Sequence, residues 1–309
     1  MNKNLINKLN KMVSIPSVSG NEAEFALWLK KDLSSFADKL YIDSVGNLIA
    51  IKGKPKVFVF SHMDKVGYIV SEKKSDLIKA IAIKKKKDIQ EKKWPVTIYG
   101  KEPVFGLLSQ VSNKEYLQIK VKKELITKVS IGDFVALTPN FNGMDKNIVI
   151  SQGLDNKLGI LSSIEIFKKS KNIGFVATVQ EEITKLGAKN AAWALKPKAV
   201  IILDVTYDEG KYIKIGKGPS ICIKDDLLPD RNLLKGLLET VKNYNFPHQL
   251  EVIENGGSDA NAVYDSHGFT PHLFIGIPIK FMHTPKETVN LKDLEVSVNL
   301  LIKYIQKYG

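Results

Sequence analysis

Apolar residues near the start of the chain recur at helical spacing. Leu5, Ile6, Leu9, Met12 and Val13 mark one face of an amphipathic helix. A loop, SIPSVSGNE, follows, and Phe25, Leu27, Leu29 and Leu33 then predict a second helix. Ser19 with Glu22 three residues on has the pattern of a capping box at its start. The period then shortens, and β-like runs at residues 40–42, 47–51, 57–60 and 66–70 predict strands. Between residues 71 and 147 helical periodicity is absent. VTIYG, VFGLLSQV, YLQIKV and DFVALT stand between Lys- and Gly-rich turns, the pattern of a small all-β unit.

From Leu154 helices and strands alternate. The pattern predicts helices at 157–169, 184–194 and 230–244, the last opened by Pro229. A short helix follows Gly257, and the final one covers 291–304. Strands are predicted at 173–180, 199–203, 249–253 and 272–275. Strands alternating with helices imply a three-layer α/β fold, a mostly parallel or mixed sheet flanked by helices on both faces. The β unit interrupts it. The expected division is therefore residues 1–70 with 148–309 as one domain and residues 71–147 as an inserted all-β domain.

Composition changes this picture little. Of 309 residues, 44% are hydrophobic, enough for a folded core. No run of about 18 apolar residues suggests a membrane span, and the start of the chain lacks the apolar centre of a signal peptide. Cys222 is the only cysteine, so no internal disulfide forms. A cytoplasmic protein is expected. The net charge of +13 invites a nucleic-acid partner, but all 46 basic residues except Arg231 are lysines. Bidentate recognition of phosphate and base edges favours arginine. The densest run, residues 84–87 with Lys92 and Lys93, reads as a solvated loop, so neither nucleic acid nor membrane is expected as a partner.

Ligands in open α/β sheets bind beyond the carboxyl ends of the strands. The residues predicted there are unusually rich in metal-binding groups. KVFVFS runs into His62 and Asp64, FVATVQ into Glu181 and Glu182, and AVIIL into Asp204. Asp155 precedes a helix and His283 follows the last strand's loop. Each has a commonplace alternative: Asp155 as a helix cap, Asp204 as a loop cap, His283 as a neighbour of Pro285. Together they place several carboxylates on one rim, where mutual repulsion would force protonation unless cations neutralise them. Two imidazoles among the donors suit zinc, cobalt or manganese rather than calcium. Asp64, two residues after His62, is placed to accept the other imidazole N–H.

In order, SIPSVSGNE, SHMDKVGYIV, SQGLDNKLG, TVQEEITKLGA, ILDVT, GGSDANAV and FMHTPKETVNLKDLE span nearly the whole chain. In this order they resemble the M42 metallopeptidases, the glutamyl or tetrahedral-type aminopeptidases of the co-catalytic zinc peptidase clan. The resemblance implies a zinc-peptidase-like fold and two divalent metal ions per subunit, zinc first, with cobalt or manganese as alternatives. It implies His62 and Asp204 on one metal, Glu182 and His283 on the other, and Asp155 bridging both. Glu181 would be the general base and Asp64 the partner of His62. It further implies a cis peptide after Asp155, release of N-terminal residues from short peptides, and a homo-oligomer, from dimer to dodecamer, built through the β insert.

Gly256, Gly257, Ser258 and Asp259 have two readings: a tight turn with a helix cap, or the wall of the substrate pocket, where the resemblance puts them. Asn156 and Lys157 stand where relatives commonly carry Asp-Arg, Ser151 and Gln152 where they often carry Ala-Lys, and the insert is shorter. His248, His267 and His272 read as structural or surface residues, and Cys222 as a small core or rim residue. A carboxypeptidase or N-acyl amino acid deacylase would use nearly the same ligands. A glycosidase needs carboxylates roughly 5–9.5 Å apart across a sugar bond, which adjacent Glu181 and Glu182 suit poorly.

Overall fold

The computed structural model of the chain describes residues 3–74, 77–84, 93–110, 116–145, 147–208, 210–254, 256–266 and 270–308. Its centre is four parallel strands, Ile173–Thr178, Val57–His62, Ala199–Tyr207 and His272–Lys280, in that spatial order. Nearly every residue in them is buried, as expected of strands covered on both faces. Antiparallel strands extend the sheet on either side. Leu48–Lys52 and Lys39–Ile42 lie beyond Ile173–Thr178. Glu287–Asn290, Ile148–Ser151 and Asn142–Asp145 lie beyond His272–Lys280. The sheet is therefore mixed.

One face packs the helices Lys3–Ser14, Ala23–Leu33, Leu154–Lys169, Arg231–Tyr244 and Leu291–Tyr308. The other packs Leu186–Leu195 and Asp259–Ser266 through small residues, Ala188, Ala191, Ala192, Ala260 and Ala262. Six further strands between Tyr68 and Leu137 close into a separate antiparallel barrel. It is filled by apolar side chains such as Val70, Ile78, Val96, Ile98, Leu108 and Val135. Among the described residues no helix is long and apolar enough to cross a membrane.

Several elements differ from the sequence reading. Strand Ala199–Tyr207 does not stop before Asp204 but carries it in its interior, paired to Gly276. A charged residue reads as a strand end, yet here it faces the cavity described below. The strand expected at 173–180 ends at Thr178, because Val179 N turns to the Asn47 side chain (3.0 Å) and Gln180 takes φ 57°. The capping box is absent. Glu22 itself occupies the N-cap position without a capping bond, while Ser19 donates to Asp64. Asp230, rather than Pro229, opens the helix Arg231–Tyr244, accepting from Asn232 N and Leu233 N at 2.9 Å each. The strands Ser220–Lys224 and Glu287–Asn290 were not expected.

The pairing of Val57–His62 with Ala199–Tyr207 ends at Phe60 and Ile202. The two strands diverge there, and the carbonyl of Leu203 loses its ladder partner. The Ser61 hydroxyl (2.8 Å) and the Asn156 amide (3.0 Å) donate to it instead. A buried carbonyl without such donors would cost free energy comparable to a lost hydrogen bond. This opening forms the floor of the site.

Gly174 shows how tightly the centre is packed. A Cβ at this position would lie 2.0 Å from the Phe58 ring. Gly174→Ala is therefore expected to lower the unfolding free energy by about 1–3 kcal/mol, the usual cost of forcing extra volume into a packed core. The midpoint of denaturant unfolding measures this.

Candidate functional site

His62 ends its strand with Nε2 3.2 Å from Asp155 Oδ1 and 3.4 Å from Asp204 Oδ1. His283 points its Nε2 at the other Asp155 oxygen, Oδ2, at 2.9 Å, and at Glu182 Oε1 at 3.1 Å. Asp155 thus presents one oxygen to each imidazole. Two donor sets result, His62–Asp155–Asp204 and Asp155–Glu182–His283, each with its donor atoms within 4.8 Å of one another. Asp155 precedes the regular part of its helix, and the peptide bond between Asp155 and Asn156 is cis.

The electrostatics suit a cation. Asp155 Oδ1 and Glu182 Oε1 are buried and face the imidazoles of His62 and His283. Burial alone would lower the His62 pKa, but Asp204, Asp155 and Asp64 outweigh it and hold the imidazole well above its usual value. Burial likewise opposes a charged His283, yet Asp155 and Glu182 push it up to about 10. Burial would raise Asp155, but His283 and His62 hold its carboxyl well below the usual range. The carboxylates thus favour neutralising positive charge at the imidazoles. Three carboxylates and two imidazoles in two overlapping sets fit two divalent ions, which would take over that role.

Glu181 lies beside both sets. Burial pushes its carboxyl well above the usual value; His62 pulls it back, and Glu182, Asp259 and Asp204 add to the rise. The Lys185 ammonium is 3.7 Å from Glu181 Oε1. Lys84 donates to Glu182 Oε2 at 2.8 Å, reaching the site from just past the barrel strand Ile78–Ala82. The rest of the basic run, residues 85–87 and Lys92, lies outside the described residues, as does His267.

The fully buried Asp64 does more than face His62. Its Oδ1 is 3.4 Å from His62 Nδ1, and its own carbonyl is 3.2 Å from the same nitrogen. Acceptors on that side place the ring proton on Nδ1 and turn the Nε2 lone pair to the cavity. Asp64 also accepts from Ser19 Oγ (2.6 Å), Glu181 N (3.0 Å) and Glu182 N (3.1 Å). One carboxylate therefore orients an imidazole and the backbone of both adjacent glutamates.

Other contributors have roles that the sequence reading did not assign. Glu22 Oε1 accepts from Gly20 N (2.9 Å) and Gln180 N (3.1 Å), tying the first loop to the turn before Glu181. Burial raises Glu22 to about 7. Glu287 accepts from the backbone of Leu154, Asp155 and His283, and burial with nearby Asp155 raises it to about 8. Lys157 is fully buried, donates to Ser17 Oγ (2.9 Å) and the Met63 carbonyl, and lies 4.2 Å from the Phe25 ring centre. Asn156 accepts from Gly159 N (2.9 Å) while bonding Leu203. These two residues pin the chain around Asp155 without joining the donor sets.

The donors open into a cavity of about 1120 Å³. Gly256, Gly257 and Ser258 line it, together with Tyr207, Phe281 and the barrel residues Tyr68 and Trp94. Ser258 also accepts from Ala260 N (3.2 Å), so it both caps the short helix and faces the cavity. Asp259 lies behind the wall, accepting from Thr178 Oγ1 at 2.5 Å, and burial raises it to about 7. His272 is buried at the start of its strand, and His248 packs near Phe246, both away from the donors.

A family model, the M42 glutamyl aminopeptidases, matches residues 110–300. A presumptive aminopeptidase of Acetivibrio thermocellus is 33% identical, covering 98% of this chain and 99% of its own. The lysyl aminopeptidase of Pyrococcus furiosus is 28% identical, covering 94% of each. Among solved structures, the TET1 peptidase of Pyrococcus horikoshii, which assembles into a tetrahedron or a large octahedral shell, superposes with a TM-score of 0.86. It is 24% identical and covers 97% of this chain and 98% of its own. Aminopeptidase APDkam598 of Desulfurococcus kamchatkensis reaches 0.91 at 23% identity, covering 99% and 95%. At such identities these two likenesses concern the fold.

Proposed function

Since the chain belongs to the M42 glutamyl aminopeptidase family, we propose that it is a two-metal aminopeptidase. It would release the N-terminal residue of short peptides, with Glu181 as general base. The observation that carries this reading is Asp155, whose two oxygens face two imidazoles, each in a separate donor set, with Glu181 beside them. His62, Asp155 and Asp204 would hold one divalent ion and Asp155, Glu182 and His283 the other, supplying a nucleophilic water at neutral pH and polarising the scissile carbonyl. The donor types favour zinc, with cobalt or manganese as alternatives.

The chain's own residues do the rest. Glu181 accepts the proton of the attacking water and returns it to the departing amine. Asp64 fixes the backbone of Glu181 and Glu182, so that one faces the reacting carbonyl while its neighbour serves as ligand. Gly256, Gly257 and Ser258, together with the barrel's Tyr68 and Trp94, enclose a short peptide.

We also assign the inserted unit, expected at residues 71–147 and built from the barrel strands between Tyr68 and Leu137, to self-association, and the large-sheet domain to catalysis. Phe105, Leu107 and Ile131 on the barrel are 65%, 46% and 68% exposed, apolar side chains open to contact with another copy. The assembling TET1 peptidase supports a homo-oligomer. The low arginine content speaks against a nucleic-acid partner, and the lone Cys222 fits a cytoplasmic protein.

Activity is expected to vanish after dialysis against chelator and to return with zinc, cobalt or manganese. A peptide with a free amino terminus should be cleaved and its N-acetylated counterpart should not. Undiminished activity in metal-free protein would overturn the metal reading. Preference for the blocked peptide would point instead to a deacylase or carboxypeptidase.

A further inference from the structure

Glu287 begins the strand Glu287–Asn290 and is fully buried, yet its carboxylate serves three backbone amides in two distant segments. Oε2 accepts from Leu154 N at 2.6 Å and Asp155 N at 3.3 Å. Oε1 accepts from His283 N at 2.7 Å. We infer that Glu287 is a positioning residue that sets the distance between Asp155 and His283, and so builds the donor set Asp155–Glu182–His283. This rests on the two-metal reading above.

Both segments need such an anchor. Leu154 and Asp155 lie just before the regular turns of their helix, where a backbone amide finds no carbonyl partner within the helix. The other segment is a turn in which Phe281 (φ 56°) and His283 (φ 64°) both adopt left-handed backbone. That conformation costs a non-glycine residue energy and persists only where surrounding contacts enforce it. Within the turn, Thr284 N bonds Phe281 O at 3.1 Å, while His283 N goes outward to Glu287. One oxygen thus fixes the backbone of Asp155 and the other the backbone of His283. Their side chains then meet at 2.9 Å. A helix cap would need only the first contact; the second gives Glu287 its effect on the site.

Glu287→Gln keeps the shape but turns an NH2 group toward one of the amides, so one anchor is lost. The probe is zinc: stoichiometry and affinity by competition with a chelator, alongside the thermal melt of the metal-free protein. Loss of a hydrogen-bonded partner behind a ligand typically weakens metal binding about 10–100-fold. The expected result is one zinc ion held as in the parent protein and the second weakened about 10–100-fold. Added zinc should then restore most of kcat/KM. Glu287→Asp, which keeps the charge but shortens the reach, should weaken the same ion. Two ions bound as tightly as in the parent would overturn the inference. So would failure of both variants to melt cooperatively, which would make the role structural. A parent protein that binds no zinc would overturn the two-metal reading itself, an outcome distinct from a loaded parent with unaffected variants.

Discussion

Glu181→Gln is expected to keep both metal ions and to lower kcat by about 10²–10⁴-fold, the range that a positioned proton-transfer group contributes. The amide matches the carboxylate in shape but cannot accept the water's proton. Glu181 belongs to neither donor set, and its backbone is held by Asp64 rather than by its own side chain. The substitution should therefore leave the surroundings in place. Metal content and kcat measured on one preparation test this. If the ions are lost together with activity, Glu181 is a ligand and the division between the two adjacent glutamates is wrong.

Asp155→Ala should have a different outcome. Asp155 supplies an oxygen to each donor set, so its removal is expected to release both ions and abolish activity. The loss of affinity should exceed about 100-fold, because removing even a partner behind a ligand costs 10–100-fold. Asp204→Ala should instead spare the ion held by Asp155, Glu182 and His283. The metal content of the two variants, compared at equal free zinc, separates a shared carboxylate from two independent ones. Equal losses in both would show that the sets are not linked through Asp155.

The chemistry-bearing residues could be read from the sequence because strands announce their own ends. An apolar run such as FVATV followed by Glu181 and Glu182 has few structural uses, and the structure gathers these residues with His62, Asp155 and His283 around one cavity. Asp204 was located by the wrong argument. It was expected past a strand end and lies inside a strand, where the sheet opens after Ile202. The supporting residues were not legible. Glu287 reaches Leu154 across 133 positions and Glu22 reaches Gln180 across 158. Bonds of that range leave no periodicity in the sequence. Lys157 reads only as the start of a helix and a departure from its relatives, and nothing local marks it as buried with Met63 O and Ser17 Oγ accepting from it. Ser19 and Glu22 matched a local motif, but distant acceptors and donors claimed both side chains.

In the closed barrel each strand is paired on both sides. Among the described residues no barrel strand is left as an open edge, so barrels from separate molecules do not join there by continuing one another's sheets. Any contact between them must be made by side chains. Such contacts are set by side-chain shape and charge rather than by an open sheet edge. They can also be dissolved one residue at a time without unravelling the unit that carries them.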